Sequence, residues 1–194
     1  MTANLYQVRP ESIAGLNPDE VRLFNELLEV WSRKYARNYV RKRYYDAKNA
    51  LKDLGISIPP ALRKVEVVSG WPAKAVDALA VRSIFDGFTF KGKAEDDLND
   101  LLEQNGFKLR YSQATTSELI NSCAFATVSK GADDEPQVLV SFHSALNAAA
   151  MWDYRKGRIK CGIVVTDYEE SPTYGFIPNQ VNMYTDDSVV MCTR

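Results

Sequence analysis

The only histidine of the 194-residue chain is His143, which lies close to two serines, Ser141 and Ser144. A histidine beside a serine hydroxyl can act as a general base in nucleophilic catalysis when a distant carboxylate orients its ring. The sequence has no G-x-S-x-G turn, no glycine-rich dinucleotide fingerprint, no P-loop and no H-E-x-x-H pair. We therefore interpret His143 as a histidine at the end of a strand, and we predict that the protein is not an enzyme.

Clusters of acidic residues can bind a divalent cation or supply general acids and bases. The chain has four of them, at Glu95–Asp97, Asp133–Glu135, Glu169–Glu170 and Asp186–Asp187. One falls in the expected first turn of a helix and three fall in apparent loops or turns, so we interpret all four as solvated surface. The three cysteines, Cys123, Cys161 and Cys192, are too far apart for a paired metal or redox motif, and we expect each in or near the core. The sequence thus predicts no cofactor and no metal.

Positive charge is concentrated in one part of the chain. Residues 31–64 carry a local balance of +8 in a chain of net charge −1, so the remainder carries −9. On a helix, six of these basic residues would fall within about 100° of one another, with Tyr44 inside the same arc. They are Arg33, Lys34, Arg37, Arg41, Lys48 and Lys52.

This basic stripe has two functional interpretations. It could contact phosphates, which would make residues 33–52 part of a stand-alone nucleic-acid-binding module. It could also be a solvated helix face or one side of a subunit interface. The second interpretation is favoured, because no recognised nucleic-acid-binding motif accompanies the stripe.

The first part of the sequence predicts helices. Asn17 can cap a helix that has Pro18 in its first turn and Glu20 in the position of a capping-box acid. The apolar face changes near residues 32–34, which predicts two helices or one bent helix, ending at about Leu54 before Gly55. The predicted helices span residues 17–54, 72–86, 94–105 and 109–124, with a short strand at 65–68.

The second part of the sequence predicts antiparallel strands. Alternating, β-branched segments occur at Val138–Phe142, Ile159–Tyr168, Val181–Tyr184 and Val189–Cys192. Turn residues at 153–157 and 185–188 join neighbouring segments into hairpins. Because helices precede strands and do not alternate with them, the predicted fold class is α+β.

Several segments occur in the order and spacing found in a known family. They are Gly70–Ala80 with Arg82 and Asp86–Phe88, then Leu119–Val128, Val138–Arg158 and Met183–Asp187. Together they resemble the outer wing region of portal proteins of tailed, double-stranded-DNA bacteriophages or prophages, from about residue 17 to the end. The motif residues carried over are Trp71, Pro72, Val76, Asp77 and Leu79. Gly70 stands where asparagine is usual, and Ser122 where glycine is common, which would loosen the local turns.

The resemblance implies a structural ring subunit through which double-stranded DNA is packaged and ejected. It implies an N-terminal arm at 1–16, a mainly helical part of the wing at 17–130 and a β part at 131–194. The implied partners are further copies of the chain, capsid or scaffold, terminase, head–tail adaptor proteins and the DNA. The implied location is a capsid vertex of the virion, after assembly in the host bacterial cytoplasm, with no membrane contact. Since such subunits are normally longer, the resemblance also implies a fragment.

Three structural expectations follow. Alanine propensity favours a helix over residues 144–150, whereas the resemblance implies a loop and a strand. Trp71 and Leu79 should be buried, so that Leu79→Ala costs about 2–5 kcal/mol. The stripe should pair with an acidic face of the next subunit, leaving this chain alone monomeric or weakly associated. Arg37→Glu with Arg41→Glu should then preserve the fold and impair ring assembly.

Overall fold

The computed structural model describes residues 10–48, 70–89, 94–171 and 175–194. Its helices are α1 (Pro18–Tyr45), α2 (Trp71–Ala80), α3 (Ala94–Gln104) and α4 (Phe107–Asn121). Its strands are β1 (Ala124–Lys130), β2 (Val138–Ser144), β3 (Ala148–Asp153), β4 (Arg158–Ser171), β5 (Gly175–Tyr184) and β6 (Val189–Thr193). Helices precede two antiparallel sheets, so the α+β prediction is confirmed. The short strand predicted at 65–68 lies outside the described residues.

Helix α1 begins as its sequence predicts. The Asn17 side chain accepts a hydrogen bond from the Glu20 backbone N–H at 2.9 Å, and the Glu20 carboxylate accepts one from the Asn17 N–H at 2.8 Å. Together these bonds satisfy two backbone donors that the helix itself leaves unpaired.

The rest of α1 decides between the two predicted alternatives and differs from the prediction in where the helix ends. It is one continuous helix, because Tyr35 extends the buried face of Leu28 and Trp31 and does not open a second one. It ends at Tyr45, where Ala47 takes a left-handed conformation at φ 55° that a helix cannot continue through. The predicted end at Leu54 is therefore wrong.

The core lies between α1 and one face of a four-stranded sheet with the order β3-β4-β5-β6. Side chains two residues apart share a face of a strand, and helix residues three or four apart share a face of a helix. The buried side chains of this core include Phe24, Leu27, Leu28, Trp31 and Tyr35 on the α1 side, and Ile163, Val165, Val181 and Met183 on the sheet side.

The connection between β2 and β3 is held by hydrogen bonds from the core helix. Trp31 Nε1 donates to the Leu146 carbonyl at 2.7 Å, and Asn38 Nδ2 donates to the Ala145 carbonyl at 3.1 Å. These bonds and the strand pairing of β3 fix residues 145–147 as a turn followed by a strand. The resemblance was right about this segment and alanine propensity was wrong, because tertiary contacts outweigh a weak local preference.

A second layer consists of β1 and β2 as a two-stranded sheet, with α4 packed against it. Helix α4 ends earlier than predicted, at Asn121, because Ser122 adopts a left-handed φ of 73°, and Ala124 already begins β1. A glycine would take that conformation at lower cost. In this chain the Ser122 hydroxyl instead accepts a hydrogen bond from Arg41, which holds the turn and does not loosen it.

The outer edge of β2 is closed by the corner between α3 and α4. The side chain of Asn105, only 2% exposed, accepts from the Val140 N–H at 2.8 Å and donates to the Val138 carbonyl at 2.9 Å. Arg110 donates to the Val140 carbonyl at 3.1 Å. Gly106 makes this corner possible with a left-handed φ of 56°.

Helix α2 is shorter than predicted and contains no buried residue. Trp71 is 79% exposed and Leu79 is 55% exposed, so the prediction that they are buried is wrong. The helix meets its neighbours α1 and α4 through less exposed residues such as Pro72 and Val76, and Asp77 accepts a hydrogen bond from the Tyr45 hydroxyl at 2.8 Å. The apolar spacing of α2 therefore predicts a helix correctly, but it does not indicate whether that helix is buried in the core.

Candidate subunit interface

His143 sits in a polar cavity of about 450 Å³ between α4 and β2. Its Nε2 lies 2.8 Å from the Thr127 hydroxyl, and burial holds the pKa of the imidazole below its usual value. The Ser144 hydroxyl accepts hydrogen bonds from Asn121 Nδ2 and the Leu146 N–H. The residues that line this cavity are Arg110, Gln113, Ala114, Ser117, Ser141, Phe142, His143 and Ser144, and none of these is an acid that could orient the ring.

The acidic clusters have ordinary structural surroundings wherever their side chains are described. Asp186 pairs with Arg158 at 2.7 Å, and Glu135 accepts a hydrogen bond from the Ala132 N–H at 3.0 Å. Within the described ranges, no three side chains of histidine, cysteine, aspartate or glutamate converge on a point where a metal could bind.

The cysteines differ from one another in exposure. Cys161 is buried and Cys192 is partly buried, as predicted, but Cys123 is exposed because it follows the left-handed turn that leads from α4 into β1. Burial, helped by Glu118, raises the pKa of the Cys123 thiol, and Arg41, Lys34 and Arg37 oppose this rise. This thiol therefore lies beside the basic side of α1.

The predicted basic stripe is only partly a free surface. Arg41 donates from Nη1 to the Asn121 carbonyl at 3.1 Å and to the Ser122 hydroxyl at 2.9 Å, so it joins α1 to the end of α4. Lys48 is exposed but lies beyond the end of the helix, and Lys52 lies outside the described residues. The stripe was predicted on a helix reaching residue 54, and the earlier end of α1 removes these two positions from it.

The residues that remain form a compact surface on α1, which we call the basic face. It consists of the exposed cations Arg33, Lys34 and Arg37 together with Val40 and Tyr44. Val40 is 49% exposed and Tyr44 is 56% exposed. A surface of this composition, with apolar groups beside cations, is typical of protein interfaces.

A second surface lies on the hairpin of β4 and β5. Residues Asp167–Glu170, which we call the acidic hairpin, are all exposed. The rings of Tyr168 and Phe176 meet edge-on, with their centroids 5.1 Å apart. Phe176 in turn packs on Tyr35 and Tyr39 of α1. Glu169 and Glu170 are exposed, as predicted, but they lie on β4 and not in a loop. Strand β4 continues to Ser171, but no apolar residue follows Tyr168 within it, so the alternation that predicted the strand could not have extended it over these acids.

A third surface surrounds α2. It presents five large apolar side chains that are each more than half exposed: Trp71, Leu79, Val81, Ile84 and Leu109. Clustered apolar exposure of this kind marks contact sites more often than free surface. Two of these residues, Trp71 and Leu79, belong to the motif on which the resemblance rests, and the motif residues Pro72, Val76 and Asp77 share their helix.

A family model described as phage portal protein, SPP1 Gp6-like, matches residues 25–194. The comparison with curated proteins gave no match. None of the helices in the described ranges is both long enough and apolar enough to cross a bilayer.

Proposed function

The chain belongs to the SPP1 Gp6-like family of phage portal proteins, and we propose that it is a subunit of the ring through which double-stranded DNA is packaged and ejected. Portal proteins are structural components of the bacteriophage head–tail connector. The observation that carries the proposal is the extent of the match, which begins within α1 and includes both sheets.

The arrangement of surfaces supports a role in assembly. The polar cavity at His143 has no orienting acid among its lining residues, whereas α1, the acidic hairpin and α2 present exposed groups suited to protein contacts. We propose that residues 17–130 and 131–194 are the helical and β parts of the outer wing, with residues 1–16 as an N-terminal arm. In that position the chain contacts neighbouring subunits and the shell more than it contacts DNA.

The proposed partners follow from this role. They are further copies of the chain, the capsid or its scaffold, the terminase, head–tail adaptor proteins and the DNA that passes through the ring. The proposed location is a single capsid vertex of the virion, reached after assembly in the host bacterial cytoplasm.

Immunogold electron microscopy of particles from the phage or prophage that encodes the chain tests this proposal. We expect gold at one vertex per particle, on both empty and DNA-filled heads. A nonsense mutation in the gene should leave heads without DNA. Gold distributed over the whole shell, or DNA-filled heads in the nonsense mutant, would contradict the proposal.

The basic face also supports a second candidate, a stand-alone nucleic-acid-binding module, because its three cations are exposed. A dedicated binder should bind duplex DNA tightly, with an affinity that falls steeply as salt rises. We expect weak binding with a shallow salt dependence, and a salt titration of fluorescent DNA measures both quantities.

A further inference from the structure

We propose that the acidic hairpin of one copy docks on the basic face of α1 in a second copy. The inference rests on the proposed function, which requires contacts between copies, and it assigns the two surfaces that make one of those contacts. It replaces the more general expectation that the basic stripe meets some acidic face.

Among the residues that the structure describes, the cations of the basic face form no ion pair. Each of the ion pairs between described residues, such as Arg22–Glu26 and Lys42–Asp46, involves other cations. The nearby Arg41 is already committed to the end of α4. Arg33, Lys34 and Arg37 are therefore available to carboxylates on another molecule.

The acidic hairpin has unused charge of the opposite sign. Asp167 accepts a hydrogen bond from Asn179 at 2.7 Å, and Glu169 lies 3.9 Å from Arg194 in a loose pair. Glu170 forms no ion pair with any residue that the structure describes. Tyr168, 48% exposed, lies between these acids. The hairpin thus offers an aromatic ring among carboxylates, which complements Val40 and Tyr44 among cations.

The two surfaces lie on opposite flanks of α1. The acidic hairpin reaches α1 at Tyr35 and Tyr39 through Phe176. At about 100° per residue, Arg37 lies about 160° around the helix from Tyr39. Two different complementary patches on opposite sides of a subunit make a heterologous contact, which repeats from copy to copy and closes into a ring when the rotation permits.

Another acidic surface is a poorer match. The exposed acids of α3 that the structure describes, Asp97, Asp100 and Glu103, have no strongly exposed large apolar side chain on the same helix. They can attract a basic surface from a distance, but they cannot bury an apolar centre against Val40 and Tyr44. They therefore serve as the matched control.

Charge reversal tests the pairing. Sedimentation at low salt should show that Arg33→Glu with Arg37→Glu weakens self-association about tenfold, and that Glu169→Lys with Glu170→Lys does the same. The chain that carries all four changes should recover most of the loss, because each contact is restored with its signs exchanged. Asp100→Lys with Glu103→Lys should have little effect. Circular dichroism establishes that every variant is folded.

Cross-linking reports the contact directly, because the exposed Cys123 lies beside the basic face. A Glu170→Cys variant treated with a short bismaleimide should give dimers and higher multimers on a denaturing gel. Adding Cys123→Ser should abolish this ladder, and Asp100→Cys should give only the background of the native chain.

Three results would overturn the inference: no rescue in the fourfold variant, an equal ladder from Asp100→Cys, or no self-association at any concentration. None of these results would contradict the proposed function, because a ring could close through other surfaces. The immunogold labelling of the capsid vertex tests that function independently.

Discussion

Two regions of this protein differ in whether their apolar side chains are buried or exposed. Helix α1 places a continuous face against the four-stranded sheet, where Leu27, Leu28 and Met183 have no solvent exposure. Helix α2 buries nothing and leaves Trp71 and Leu79 in solvent. The first region holds the cluster of buried apolar side chains, and the second carries exposed residues of the motif by which the chain resembles portal proteins. The motif residues Trp71 and Leu79 are therefore surface residues and not part of the core.

The largest expected effect comes from the core. Leu27→Ala removes a fully buried side chain between α1 and the sheet, so we expect it to lower the free energy of unfolding by about 2–5 kcal/mol. Urea denaturation followed by circular dichroism measures the loss. Leu109→Ala on α4, where the side chain is 67% exposed, is the matched control. Equal losses in the two variants would remove the distinction between the regions.

The next effect lies outside both helices, at the corner between α3 and α4 that closes the edge of β2. Asn105→Ala leaves the Val140 N–H and the Val138 carbonyl without their partners, which should cost about 2–3 kcal/mol. Gln104→Ala, one residue away and exposed, should cost little. A neutral Asn105→Ala would show that water replaces these bonds at no cost and that the corner between α3 and α4 is not held by them.

A smaller effect separates two arginines of the predicted stripe. Arg41→Gln removes the hydrogen bonds that join α1 to the end of α4 and should cost about 1 kcal/mol, whereas Arg37→Gln should leave stability unchanged. Thermal unfolding of both variants at matched concentration measures the difference. The expectation that Arg37→Glu with Arg41→Glu preserves the fold and impairs ring assembly stays a prediction. Because Arg41 is bound to the end of α4, Arg33 takes its place in the pairing test. If Arg41→Gln leaves the thermal stability unchanged, the hydrogen bonds of Arg41 do not hold α1 to α4, and Arg41 would count among the cations available to another molecule.

The smallest effect is expected at Leu79. Its side chain is 55% exposed, so Leu79→Ala should change the free energy of unfolding by less than about 0.5 kcal/mol. A core position would lose about 2–5 kcal/mol. Chemical denaturation of this variant and of Leu27→Ala under the same conditions compares their losses in the free energy of unfolding. A loss comparable with that of Leu27→Ala would mean that α2 is anchored after all.

Local signals in the sequence were enough for much of the fold. The Asn17–Glu20 capping box fixed the start of α1, and turn residues at 185–188 identified the hairpin of β5 and β6. The end of α1 could not be predicted, because nothing local marks Ala47 for a left-handed conformation. The role of Asn105 depends on partners 33 and 35 residues away. Apolar spacing indicated the α2 helix but could not tell whether a core would cover it.

The candidate interface was predictable only in part. Charge counting located the basic residues of α1, but the loss of Arg41 to an internal contact depends on where α4 ends. The acidic hairpin was not predicted because the apolar alternation stops at Tyr168, although Glu170 lies on a strand paired with Phe176. Which charges remain unpaired is a property of the folded surface and not of sequence composition.

The closed edge of β2 has a consequence for newly synthesised copies. An open strand edge would let one copy pair with another in fibrous, irreversible aggregates. Asn105 occupies the backbone groups through which such growth would begin. We therefore expect this one buried amide to determine what fraction of the chain stays available for assembly in the crowded cell, in addition to its effect on folding stability.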